Sequence, residues 1–244
     1  MKRILFGISM LSMLLFVACG DCCDRALQLE EYTFESSEPE RYMVNIRYQH
    51  IANSDKSDIL RSIEAANYNH IFEEYAFVPA DVDASMRAMA DAFIADAVES
   101  DSGAAYTLNF DQAAFTVRDN SILCYETHID IYTGGAHGGN SIWYECYSLV
   151  TGQPYDFSYL YEGEWSASLC ELLYNSLVEA MPDTLFINGY KELPHADSVL
   201  ITDTGLLFVY QPYSVASFAA GILSVEVSDE DLKATGVPML WLNE

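Results

Sequence analysis

Hydrophobic and polar positions along this chain change period several times, and each change predicts an element. Residues 24–41 are polar and acidic with no repeat, which reads as a spacer. Val44, Ile46 and Tyr48 then alternate with polar neighbours, the period-2 signature of a strand. From Asp58, a plausible N-cap, Ile59, Ile63, Ala66 and Ile71 recur at roughly helical spacing as far as Tyr75. Pro79 breaks that pattern, and a second helix is expected from about Asp81, with Val82, Met86, Met89, Phe93 and Ala97 as its apolar stripe.

The period returns to 2 at Ala105. Tyr106, Leu108 and Phe110 share one parity while Phe115 and Val117 share the other, which implies a bulge near Asp111-Gln112 if one strand holds both sets. After a turn at Asp119-Asn120, Ser121 to Thr133 reads as a strand. Leu123, Tyr125, Ile129 and Ile131 lie on one face of it and Cys124, Glu126, His128 and Asp130 on the other. Ser141 to Leu149 follows as another strand, and Thr151-Gly152 turns the chain. Trp165, Leu169, Leu172, Leu173 and Leu177 predict a third helix, stopped by Pro182. Residues 198–202, 206–210 and 221–227 read as strands, and Asp229 opens a short helix whose acidic first turn suits the helix dipole. Strands with inserted helices, and no regular βαβ alternation, predict an α+β fold: an antiparallel sheet with about three packing helices.

The amino terminus changes this picture. Met1-Lys2-Arg3 is a short basic segment, and Ile4 to Val17 is an apolar run ending at Ala18-Cys19-Gly20. About 14 apolar residues suit a signal peptide and fall short of the ~20 needed to span a bilayer. A small residue just before a cysteine resembles the lipobox of bacterial lipoproteins, with Phe16 standing where Leu is usual. The expected organisation is a signal peptide over 1–18, a lipidated Cys19 (palmitate and related chains) with a polar spacer over 19–41, and a folded part over 42–244. That part divides into a strand and two helices (42–104) and a sheet-rich portion (105–244). Asp21 and Asp24 beside the anchor resemble the acidic export signal of Bacteroides-type surface lipoproteins. The expected address is therefore the cell envelope, at the outer membrane.

The formal net charge is −26, and loss of residues 1–18 takes away only Lys2 and Arg3 among charged residues, leaving −28. Such a chain repels phosphate backbones, so nucleic acid is excluded as a partner class. A cationic partner, by contrast, is attracted. Hydrophobic residues make up 51% and aromatics 13%, enough apolar surface to build a core. Of the six cysteines Cys19, Cys22, Cys23, Cys124, Cys146 and Cys170, five remain if Cys19 is acylated. An odd number leaves at least one unpaired or bonded between chains. Cys170, within an apolar helical pattern, reads as a buried free thiol.

Candidate chemistry is sparse. His128, Asp130 and His137 are the residue types of an open metal site, but the reading preferred is that His128 and Asp130 lie on a solvated sheet face beside Glu126 and that His137 is a hydrogen-bonding loop residue, since no HExxH-type pattern accompanies them. No Gly-x-Ser-x-Gly elbow, dinucleotide fingerprint or phosphate loop occurs. The expectation is no catalytic residue, no metal and no cofactor. Four glycines within residues 134–139 do demand an explanation, because glycine permits positive φ and close approach. The aromatic and small residues of Phe208 to Gly221 follow neither helical nor strand period. Tyr210 and Tyr213 suit either stacking on a sugar or packing beneath a loop.

Two stretches carry a resemblance. Tyr132-Thr133-Gly134-Gly135-Ala136-His137-Gly138, followed by Leu149 to Tyr155, is similar to the central motif of an envelope domain of unknown function. Gln211-Pro212-Tyr213 through Gly221, with the acidic helix start at Asp229, is similar to its carboxy-terminal motif. The domain occurs in the extracellular part of RsiV-like anti-sigma factors and ahead of the catalytic domain of PdaC-like peptidoglycan deacetylases, and here it covers roughly residues 42–240. What the resemblance implies is ligand recognition at the envelope, the RsiV-like members binding lysozyme. Ligand-binding residues implied are Tyr132, Gly134, Gly135, His137, Gly138, Tyr210, Pro212 and Tyr213. Neither a sigma-binding segment nor a deacetylase domain is recognisable in this sequence. The function expected is a non-catalytic lipoprotein, tethered to the membrane by lipid, that binds a lysozyme-like cationic protein or a peptidoglycan-related glycan. The alternative is a hydrolase of envelope glycan or peptide with His137 and His128 near its site.

Overall fold

A computed structural model describes residues 27–71, 82–100, 103–181 and 185–242. The signal segment, Cys19, Cys22, Cys23, Pro79, Asp81, Pro182 and the expected helix end at Tyr75 lie outside the described residues. The fold is α+β. Among the described residues eight strands form a five-stranded sheet, of order β1-β2-β3-β4-β5, and a three-stranded sheet, of order β6-β7-β8. The first comprises β1 (Leu29–Glu38), β2 (Tyr42–Ile51), β3 (Tyr106–Val117), β4 (Ile122–Tyr132) and β5 (Gly139–Ser148). The second comprises β6 (Ser198–Ile201), β7 (Gly205–Tyr210) and β8 (Leu223–Ser228). Among the described residues four α-helices accompany them: α1 (Asp58–Ile71), α2 (Val82–Glu99), α3 (Ser166–Ala180) and α4 (Asp229–Thr235). No described helix is long and apolar enough to cross a membrane.

Two expectations are corrected here. The stretch read as a spacer contains β1, which pairs antiparallel with β2 along its whole length, from Leu29 opposite Ile51 to Glu38 opposite Tyr42. Its acidic composition hid it: as the outermost strand it needs few apolar residues, and Leu29 and Tyr32 supply the buried contacts. The five-stranded sheet is also not wholly antiparallel. β2 and β3 run parallel, with Val44 opposite Leu108 and Ile46 opposite Phe110, and α1 and α2 lie in sequence between them, as a parallel connection requires.

The chain forms two compact units. Among the described residues the first comprises 27–71, 82–100, 103–114, Glu126–Asn140 and Thr151–Gln153, and the second Phe115–Tyr125, Ser141–Val150, 154–181 and 185–242. They do not follow the expected boundary at residue 105, because β3, β4 and β5 each contribute to both. The parity change in β3 has this origin. Leu108, Phe110, Gln112 and Ala114 are buried in unbroken alternation, and the alternation shifts only after Ala114, where the strand leaves the first unit.

In the first unit Val44, Ile46, Tyr48, Leu108 and Phe110 form the apolar core with Met86 and Ala90 of α2, while Met89 and Phe93 are partly buried against it. α1 buries Ile63 of the expected stripe and packs Ile71 against the core, while Ile59 and Ala66 are only partly buried; its inward face is turned toward Leu60, Glu64, Asn67 and Tyr68, which are buried. Two of these are strongly polar, and their burial is compensated by a hydrogen-bonded network. Glu64 accepts from the Ile51 amide at 2.8 Å and the Tyr48 hydroxyl at 3.3 Å. Asn67 donates to Tyr48 at 3.2 Å and exchanges bonds of 3.2 and 3.1 Å with Gln112, which also donates to Thr127 at 3.0 Å.

In the second unit Leu169, Leu173 and Leu177 of α3, spaced one turn apart, bury against Leu206 and Phe208 of β7, Val225 and Val227 of β8, and Leu232 of α4. α4 is capped by Ser228, whose Oγ accepts from the Asp231 amide at 3.1 Å, and ends at left-handed Gly236. Cys170 on α3 is half-buried with a free thiol, and burial raises its pKa.

Candidate functional site

The first unit presents a polar sheet face. Because Val44, Ile46 and Tyr48 point into the core, Asn45, Arg47 and Gln49 point the other way, and the antiparallel register sets Glu35, Thr33 and Glu31 beside them. On β3 the neighbours of Asn45 and Arg47 are Asn109 and Asp111. β4 adds Glu126, His128 and Asp130, alternating with inward Thr127. A depression of about 390 Å³ lies on this face, lined by Arg47, Asn109, Asp111, Glu126, His128 and Asp130. Asn45 donates to Asn109 at 2.8 Å, and Arg47 grips Asp111 with both Nε, at 2.9 Å, and Nη2. That pairing and the nearby Glu31 raise the Arg47 pKa. His128 Nε2 lies 2.8 Å from Glu126 Oε1. Counting Glu31, Glu35, Asp111, Glu126 and Asp130 against Arg47, the face is strongly acidic, and its spare carboxylate oxygens are acceptors for cationic donors.

Tyr132 follows in the same strand parity as His128 and Asp130 and is half-buried at the end of β4. The loop 133–138 after it is largely exposed. Gly134 has φ +83, the left-handed region. A Cβ on Gly138 would stand 3.0 Å from the Ile131 carbonyl oxygen, so this position tolerates only glycine without a shift. Gly135 has open space, with no atom nearer than 3.8 Å to such a Cβ, and carries no comparable constraint. His137 is exposed, and its Nδ1 lies 2.8 Å from the Gly138 carbonyl oxygen; a carbonyl only accepts, so Nδ1 carries the proton. Among the described residues no group of three or more His, Cys, Asp or Glu is placed to hold a metal, so His137 does not join His128 and Asp130 as a ligand set.

In the second unit, Tyr210 and Tyr213 do not act together. Tyr210 ends β7 fully buried, and burial pushes its hydroxyl pKa up. Its ring is core, not a surface for stacking. Pro212 and Tyr213 occupy a tight turn closed by the Ser214 amide donating to the Gln211 carbonyl at 3.0 Å. Tyr213 takes φ +76, as the third position of a type II turn requires, and is 59% exposed, its ring 5.7 Å from that of Phe218. Asp197 fixes the turn by accepting from the Gln211 amide at 2.7 Å and from Ser214.

The residue of this motif with the clearest structural task is Gln211. Its side-chain amide accepts from the Ile142 amide at 3.2 Å and donates to the Ile142 carbonyl, completing both backbone bonds of an edge-strand residue. Ser198 does the same at Tyr144, accepting at 2.8 Å and donating at 3.2 Å. Neither was legible as a partner from periodicity. In the sequence they stand out only as polar residues beside apolar runs, Ser198 opening β6 and Gln211 just following β7.

A family model for a protein of unknown function, DUF3298, matches residues 164–230. This range holds α3, the second sheet and the Gln211 turn, but not the Tyr132 to Gly138 loop. No curated protein matches the chain. A DUF3298 family member from Bacteroides fragilis is similar in structure, with TM-score 0.68 and 17% identity, over 85% of this chain and 92% of its own. A DUF3298 family protein from Pseudomonas aeruginosa has TM-score 0.57 and 16% identity, over 86% and 94% of the two chains. At these identities the likeness is one of fold. Over residues 164–230 the chain is similar to the DUF3298 family.

Proposed function

We propose that this chain is a non-catalytic lipoprotein of the cell envelope, tethered through Cys19, that captures a cationic protein on the acidic sheet face of its first unit. The observation that carries the reading is that face. Five carboxylates from β1, β3 and β4 share it with one arginine, which is already paired to Asp111. Charge of one sign on an open surface accelerates encounter with a partner of the other sign. Lysozyme is the partner favoured by the resemblance of the Tyr132 to Gly138 and Gln211 to Gly221 segments to RsiV-like proteins. A peptidoglycan-related glycan is the other ligand that resemblance brings forward.

Titration calorimetry of the full chain against lysozyme and against muropeptides, at low and physiological salt, tests this. Saturable lysozyme binding that weakens with salt is expected. Heat with muropeptides alone would move the ligand to the glycan, and no heat with either would remove the reading. Palmitate labelling tests the anchor: it should vanish in Cys19→Ser, and persistent labelling would overturn it. Fractionation should place the labelled protein in the outer membrane.

A further inference from the structure

We infer that Cys124 and Cys146 are a disulfide site, joined across β4 and β5 when the chain folds in the presence of a disulfide oxidant. Their sulfurs lie 3.1 Å apart, and both residues are buried, at 0% and 3% exposure. The backbone independently places them face to face. The Leu149 amide donates to the Ser121 carbonyl at 2.8 Å. Carried inward along two antiparallel strands, that register sets 124 directly opposite 146. It also makes 121/149 a hydrogen-bonded pair, so 124/146 falls on the alternate, non-hydrogen-bonded kind. Pairs of that kind bring Cα atoms to about 4.5 Å, within the range a disulfide spans.

The outer edge of β5 agrees. Ile142 and Tyr144 direct their amides and carbonyls to Gln211 and Ser198, and the Cys146 carbonyl accepts from the Tyr155 amide at 2.9 Å. The even-numbered residues of β5 thus spend their backbone bonds away from β4, leaving the Cys146 side chain across from Cys124.

The chemistry is a two-step exchange. One cysteine, as thiolate, attacks the oxidant's disulfide to form a mixed disulfide and releases a thiol. The second then attacks the bound sulfur, forming the Cys124–Cys146 bond and releasing the other thiol. Two S–H bonds are lost, and two electrons and two protons pass to the oxidant, a small-molecule or protein disulfide. Hydrogen bonding to Cys146 and burial both raise the Cys124 thiol pKa. Oxidation therefore belongs to the stage before the core closes, and the finished bond is shielded from reductants.

The envelope reading supplies an oxidising compartment, but the first test does not depend on it. The full chain is refolded from denaturant with oxidised glutathione, and free thiols are alkylated under denaturing conditions. Peptide mapping without reduction should find Cys124 joined to Cys146, with the intact mass lower by two hydrogens. Both cysteines alkylated, or either one joined to Cys170 or an amino-terminal cysteine, would overturn the inference. The bond closes a separation of 22 residues, for which loop-closure entropy predicts roughly a 300-fold shift in the unfolding constant on reduction. The same mapping on chain recovered from cells separates the two readings. A bond present after refolding but absent from the cellular chain supports the pair and counts against the envelope address.

Discussion

Replacing Gln112 with leucine should be one of the most damaging single changes in the first unit, although it makes a core position more hydrophobic. Gln112 is 1% exposed and holds Asn67 through two bonds of 3.1 and 3.2 Å and Thr127 through one of 3.0 Å. Leucine fills nearly the same volume but leaves the Asn67 carbonyl oxygen and the Thr127 hydroxyl facing an apolar group. Each buried orphan costs about 1–3 kcal/mol, while the gain from a buried leucine offsets about 1.5–3 kcal/mol at most. Asn67 also loses one of the two acceptors of its Nδ2, so a net destabilisation of about 2 kcal/mol is expected. Urea unfolding measures it as a lower midpoint with unchanged slope. The discriminating experiment is the triple variant Asn67→Leu/Gln112→Leu/Thr127→Val. Removing all the partners together leaves fewer orphans, so its cost should fall well below the sum of the single variants. A neutral Gln112→Leu, or a triple variant as costly as that sum, would refute the claim that the network is paid for by mutual satisfaction of its members.

Three further outcomes follow from the geometry. Gln211→Ala should cost about 1–3 kcal/mol by orphaning both backbone groups of Ile142, read as a lower thermal midpoint. Tyr213→Gly should leave stability unchanged or raise it, because a non-glycine residue at φ +76 carries about 1–2 kcal/mol of left-handed strain; a large loss in thermal unfolding would show that the ring's contact with Phe218 outweighs that strain. His50 is pulled below its ordinary pKa, first by burial and against the nearby Glu30. The unfolded chain therefore binds more protons than the folded one below the normal histidine pKa, and stability should fall as pH drops through that range. His50→Gln should flatten this dependence in urea midpoints taken from pH 7 to 5, and an unchanged slope would contradict the assignment.

Much of the fold is legible in the sequence wherever burial is one-sided. The stripe Leu169-Leu173-Leu177 and the alternation Val44-Ile46-Tyr48 each bury the residues their period selects. Legibility fails where an element has little to bury or buries polar groups. β1 escapes because an outermost strand can be built from Glu31, Thr33, Glu35 and Ser37 on one side. α1 is read only in part, Ile63 being core as its period selects, because Glu64 and Asn67 look like surface residues and become core residues only through partners on β2 and β3. Parity in β3 misleads for a third reason, since one strand serves two cores in succession. At the candidate site, alternation alone places Glu126, His128 and Asp130 on one solvated face. Their neighbours Glu31, Asp111 and Arg47 come from strand pairing, which no local pattern reveals. The glycine-rich loop divides in the same way: Gly134 and Gly138 answer to backbone geometry, while Gly135 does not.

The most direct test of the account is whether that face, and not acidity at large, captures a cationic protein. The double variant Glu126→Gln/Asp130→Asn alters two carboxylates of the face, and Asp156→Asn/Glu162→Gln alters two exposed ones in the second unit, so the two carry equal net charge. With exposed charge pairs worth about 0.2–1 kcal/mol each, lysozyme affinity at low salt should fall roughly threefold to tenfold in the first variant. In the second it should stay near that of the unaltered chain, since its changes touch only long-range attraction. Equal losses in the two variants, or none in the first, would contradict the assignment of binding to the acidic face.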